Sequence, residues 1–158
     1  MKPLLTFAAL AIALLAPARA AEEHPPHAPK ETYAPGLGEI MSLQQMRHLK
    51  LWLAGAAKNW PLADYELDEL KEGFDDMIKF FPVKDDMPIG QMAGSTAVPV
   101  LPDLKGAIDA RDGKKFAAAF DKLTAACNTC HQATKHAFIV IQRPTSSPYS
   151  NQSFTPKK

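Results

Sequence analysis

Asp112-Gly113-Lys114-Lys115-Phe116-Ala117-Ala118-Ala119-Phe120-Asp121-Lys122-Leu123-Thr124-Ala125-Ala126-Cys127-Asn128-Thr129-Cys130-His131 is the stretch that decides how the chain is read. Asp112-Gly113 breaks the pattern before it. Beyond the break, Phe116, Phe120, Leu123, Cys127, Cys130 and Thr134 recur at three- and four-residue steps, which puts them on one face of a helix expected to run to about Phe138. The face changes character along its length. It begins as core-forming aromatic and aliphatic side chains and ends in two thiols with an imidazole beside the second.

Cys127-Asn128-Thr129-Cys130-His131 has the spacing that attaches haem c. Positions i, i+3 and i+4 share a helix face, so both thiols can add to the two vinyl groups of one porphyrin while His131 addresses its iron. Other uses of the pair fit less well. A thioredoxin-like redox couple needs Cys-x-x-Cys at the start of a helix behind a strand, and this one lies about four turns into a helix. A structural zinc site needs four ligands, but Cys127, Cys130, His131 and His136 crowd onto adjacent turns with no second knuckle. A disulfide across three residues of a helix is strained and constrains almost nothing.

Working upstream, Leu101, Leu104 and Ile108 mark a short third helix from about Pro99 to Arg111. The segment from Val83 to Val98, with Pro88, Gly90 and Gly94, reads as an irregular connection. Before it, Ala63, Leu67, Leu70, Phe74, Met77 and Phe81 form the apolar stripe of a second helix that starts at Trp60-Pro61, while acidic residues cover its other sides. A first helix spans Gly38 or Glu39 to about Lys58, with Leu43, Met46, Leu49, Leu53 and Ala57 as its inward stripe. Met41, Gln45, His48, Trp52 and Gly55 make a second, mixed face that suits a cofactor wall. The expectation is an all-α, antiparallel four-helix bundle over residues 38–138, with an extended tail over 139–158.

The N-terminus gives the address. Residues 1–20 combine Lys2, an apolar run from Leu4 to Ala16, and Ala18-Arg19-Ala20 before a cut at Ala21, the pattern of a secretory signal peptide too short in its apolar part to anchor a membrane. Cleavage removes two of the 18 basic residues, Lys2 and Arg19, and takes the formal charge from +1 to −1. A nearly neutral chain with 46% apolar and 22% charged residues excludes a charge-driven nucleic-acid binder. Export to the periplasm also requires the two cysteines to be occupied. Residues 21–37, rich in proline, read as a flexible leader in which His24 and His27 are solvated.

A haem-attachment site near the end of the last of four amphipathic helices resembles the class II c-type cytochromes, meaning cytochrome c′ and its low-spin relatives. The likeness rests on Leu104-Lys105-Gly106-Ala107-Ile108, on Phe116-Ala117-Ala118-Ala119-Phe120, on Cys127 to His131, and on Lys135 four residues later. It implies Cys127 and Cys130 as thioether positions and His131 as the proximal iron ligand. The proline- and methionine-bearing connection and the long tail depart from that family's pattern. Family likeness makes a homodimer compatible with the sequence, as is a monomer.

Of the 158 residues only 27 follow His131, and none is methionine, so a sixth iron ligand has to come from upstream. Counting levels in helices one and four places residues 40–45 opposite His131. Met41 falls in that window on the mixed face with Trp52 and Gly55 and is the expected ligand, with Met46 on the apolar stripe, His48 at the window's edge and an open site as the alternatives. A methionine there makes the protein a one-electron carrier serving periplasmic redox partners. An open site makes it a binder or sensor of nitric oxide or carbon monoxide. No catalytic triad, carboxylate pair or phosphate loop points to an enzyme.

Overall fold

The computed structural model describes residues 33–157, so the signal segment, the cut before Ala21 and almost all of the leader lie outside the described residues. Five α-helices are present: α1 (Leu37–Ala56), α2 (Trp60–Phe80), α3 (Ile89–Thr96), α4 (Leu101–Asp109) and α5 (Gly113–Ala133), with a 3-10 turn at Val98–Val100 before α4. The described residues contain no strand, only an isolated bridge between Lys84 and Met87. The all-helical expectation therefore holds, with two corrections. The connection after the second helix contains the eight-residue α3, led by Pro88. The last helix stops at Ala133, about a turn before Phe138.

The boundaries follow from local chemistry. Asn59 Oδ1 accepts from the Leu62 N–H at 3.4 Å to cap α2, and Pro61 occupies the first turn where no N–H is needed. Asp112 Oδ1 accepts from the N–H groups of Lys114 and Lys115, both at 3.0 Å, and so starts α5. Three helices end alike. The N–H groups of Asn59, Asp112 and His136 reach back to the carbonyls of Ala54, Ala107 and His131, with Lys58, Arg111 and Lys135 in the left-handed region just before them. These are Schellman turns, which normally recruit glycine. A basic side chain suits the helix C-terminal dipole but suffers the Cβ clash that glycine avoids. Arg111→Gly is therefore expected to raise unfolding free energy by about 0.5–1 kcal/mol. Urea denaturation reads this directly, and a loss of stability would show that the arginine contributes more than its backbone strain.

Much of the core comes from α2, α4 and α5. Ala63, Leu67, Leu70, Phe74 and Met77 of α2, Leu101, Leu104 and Ile108 of α4, and Phe116, Phe120 and Leu123 of α5 are all buried. For α1 the inward face differs from the expected one. Leu43 is 41% exposed, and the helix instead buries Ile40, Gln44, His48, Leu51, Ala54 and Gly55. Two polar residues can occupy that face because each has a partner. Gln44 Nε2 donates to the Leu70 carbonyl at 2.9 Å, and the His48 ring bonds Thr124 Oγ1 at 2.9 Å.

Contacts between helices have a regular order. On α2, Gln44 meets Leu70, Arg47 pairs with Glu69 at 3.0 Å, and Lys50 lies 3.9 Å from Glu66. On α5, His48 meets Thr124, Trp52 meets Phe120, and Gly55 abuts Phe116 so closely that a Cβ would clash with a Phe116 ring carbon. In both cases numbering falls on one helix as it rises on α1. Glycine at 55 is thus what lets α1 and α5 touch at that end.

Residues beyond Lys135 return along α5 and α1 without helix or strand. Ile141 pairs with Asn128, Arg143 bonds Asp121 twice and sits 4.3 Å over the Trp52 ring, Lys50 lies over Tyr149, and the Phe154 carbonyl accepts from Asn59.

Candidate functional site

Below the Gly55–Phe116 contact the helices leave a cavity of about 410 Å³. Cys127, Cys130 and His131 of α5 line it together with Met41 of α1, Met77 of α2 and Met87 of the turn before α3. Leu70, Phe74, Ile89 and Ala93 give the wall its apolar character, and Lys84 and Asp85 bring charge to it. All four residues singled out from the sequence, Cys127, Cys130, His131 and Met41, therefore meet in one space.

His131 is held from behind. The last turn of α5 closes on the left-handed Lys135, the chain reverses, and the Ile139 carbonyl arrives 3.0 Å from His131 Nδ1. A carbonyl oxygen only accepts, so Nδ1 carries the proton and Nε2 keeps its lone pair. That is the tautomer an imidazole needs to ligate a metal through Nε2.

The thiols are free and unactivated. Burial pushes the Cys127 thiol up to about 12 and raises Cys130 as well, so both are protonated at neutral pH. Thiol exchange depends on a depressed pKa, and nothing here supplies one. Among the described residues no group of three or more His, Cys, Asp or Glu is placed to hold a metal ion by itself. Any metal at His131 would need its remaining donors from elsewhere.

Register separates the upstream candidates. His48 is level with Thr124, and Trp52 and Gly55 with Phe120 and Phe116. Seven residues, or two turns, toward the N-terminus of α1 from His48 reach Met41, and seven toward the C-terminus of α5 from Thr124 reach His131. Met46 is not among the residues that line the cavity. His48 does line it, but its Nε2 is committed to Thr124 Oγ1, whose own hydrogen goes to the Phe120 carbonyl at 2.9 Å.

The buried imidazole has a consequence for stability. Desolvation lowers the His48 pKa to about 4, so the folded chain holds it neutral where the unfolded chain, near 6.5, would protonate it. The folded state binds fewer protons between those values. Stability is therefore complete above about pH 6.5 and falls as pH drops toward 4, by roughly 3 kcal/mol in all. Urea unfolding at pH 7.5 and 4.5 measures the loss, and His48→Met is expected to shrink it by most of that amount. A variant with the same pH dependence as the parent would assign the effect to other groups.

Met77, Met87 and α3 were not anticipated as parts of the site. Met77 shares the stripe of buried α2 residues, where its spacing matches plain core filling, and Met87 stands in a stretch with no periodicity. No family model, curated protein or solved structure matches this chain.

Proposed function

We propose that this chain is an exported c-type cytochrome, a one-electron carrier of the periplasm. In this reading Cys127 and Cys130 would hold a haem c covalently, and His131 and Met41 would supply the protein's donors to its iron. The observation that carries the reading is the meeting of those four residues in one apolar cavity, with the His131 tautomer already fixed by Ile139. The residues suit the group. A volume of about 410 Å³ lies within the roughly 300–1,000 Å³ of small-molecule and cofactor sites, and the wall is mostly hydrocarbon. A porphyrin brings four nitrogens of its own, which removes the need for a cluster of protein ligands. When bound, haem supplies reversible one-electron exchange at iron.

The chain's own residues then have distinct tasks. Cys127 and Cys130 retain the cofactor outside the cell, where a dissociable one would be lost. His131 donates through Nε2 while its Nδ1 proton rests on Ile139. Met41 offers a thioether, a soft neutral donor that favours the reduced state. Leu70, Phe74 and Ile89 would keep water from a bound haem, and Lys84 is the cation at hand for its carboxylates. The fold required is an antiparallel four-helix bundle of α1, α2, α4 and α5, with α3 as an added wall. Neither His131 nor Met41 would have to leave during electron exchange, which would keep reorganisation small.

Optical spectra of both oxidation states test the ligand assignment. Met41→Ala is expected to abolish the methionine-to-iron charge-transfer band and to let the reduced protein take up carbon monoxide. Met77→Ala and Met87→Ala are expected to retain the band. A high-spin parent that binds carbon monoxide or nitric oxide readily would replace the carrier reading with a gas-binding one.

A further inference from the structure

Asn128 stands between the two cysteines and takes no part in thioether attachment, yet both ends of its amide are used. Its Nδ2 donates to the Ile141 carbonyl at 2.8 Å, and its Oδ1 accepts from the Ile141 N–H at 2.8 Å. That exchange of two bonds with one residue is what a neighbouring strand would provide. Between the Schellman turn at Lys135 and this clamp lie only residues 136–140, and the Ile139 carbonyl that meets His131 is among them. Within the segment the Ile139 N–H bonds the His136 carbonyl at 2.9 Å, a local turn, while Phe138 is 78% exposed and Val140 73%, so Asn128 is the side chain of α5 that ties its far end down.

We propose that Asn128 is a positioning residue whose grip on the Ile141 peptide holds residues 138–141 as a strap, so that the Ile139 carbonyl orients His131 and strengthens it as a donor to iron. The proposal rests on the haem reading above. It gives the first part of the tail a role that its sequence does not advertise. The strap is fixed at two points, the turn at Lys135 and the Asn128 side chain. A hydrogen bond that draws the Nδ1 proton toward an acceptor makes the imidazole more basic at Nε2, which favours the oxidised metal. Losing the acceptor therefore shifts the midpoint potential upward. It also frees the ring.

Four holoproteins decide the matter: the parent, Asn128→Ala, a chain truncated after Phe138, and a chain truncated after Gln142. The last keeps the strap and its clamp while removing the Arg143, Tyr149 and Phe154 contacts. Potentiometric titration is expected to show a higher midpoint potential for Asn128→Ala and for the chain ending at Phe138, and the parent value for the chain ending at Gln142. By NMR, the His131 ring N–H is expected to exchange roughly five- to tenfold faster in the first two, the cost of one lost hydrogen bond. Parent-like potential and exchange in Asn128→Ala would overturn the strap while leaving the haem assignment intact. A shift in the Gln142 chain equal to that of the Phe138 chain would also overturn it, because the effect would then belong to the rest of the tail. A parent that carries no haem contradicts the proposed function, and this role with it.

Discussion

Cys127→Ser together with Cys130→Ser is expected to leave a chain from which all haem extracts into acidified organic solvent, whereas the parent keeps its colour in the protein phase. The two thiols lie one turn apart on α5 and line the same cavity, so each can form one thioether to one porphyrin. Hydroxyls in their place have no comparable addition chemistry. Single substitutions are expected to leave one thioether each and to raise the fraction of extractable haem only in part. Because the cavity wall and His131 remain, the double variant is expected to bind added haem without fixing it. Pigment that resists extraction from the double variant would place the covalent bond elsewhere.

The largest expected effect on folding comes from Phe120→Ala. This side chain is fully buried, 4.3 Å from the His48 ring, 5.0 Å from Trp52 and 6.1 Å from Phe116, measured between ring centroids. It is where α1 and α5 meet above the cavity. Truncation to a methyl group leaves a void at a junction of four rings that cannot close without moving a helix, and such losses run to about 3–5 kcal/mol. A domain of this size has about 5–15 kcal/mol in total, so the variant is expected to unfold at much lower urea. It would also expose His48, weakening the pH dependence of stability. A loss below about 1 kcal/mol would contradict the packing described for this junction.

How far the sequence could be read depended on how cleanly one face of each helix was apolar. The α2 stripe from Ala63 to Met77 and the α5 stripe from Phe116 to Leu123 were legible because their outward sides are charged. The α1 face was misread for the opposite reason. Its exposed side carries Leu43, while its buried side carries Gln44 and His48, whose burial the carbonyl of Leu70 and the hydroxyl of Thr124 make tolerable. Partners supplied by other helices have no signature in α1 itself. The short α3 was hidden by Pro88, Gly90 and Gly94, which suggest a loop. Here Gly90 packs against the Ile78 and Pro82 backbone, and its N–H reaches the Phe81 carbonyl at 3.0 Å. Tertiary contact overrode weak propensity there.

For the site, spacing alone brought out Cys127, Cys130 and His131, and level counting brought out a window that included Met41. Two facts could only come from three dimensions. One is the register that pairs Met41 with His131 by equal steps from the His48–Thr124 bond. The other is the return of residues 136–141 onto α5, since nothing in Phe138-Ile139-Val140-Ile141 announces that a carbonyl will meet an imidazole or that Asn128 will clamp a peptide.

On the proposed function the chain carries one covalently bound haem at Cys127, Cys130 and His131. An alkaline pyridine spectrum of the purified, exported protein, scaled to protein concentration, tests it most directly. The expected result is the spectrum of haem c at one haem per chain. A spectrum without the haem c band, from protein made where haem attachment operates, would contradict it.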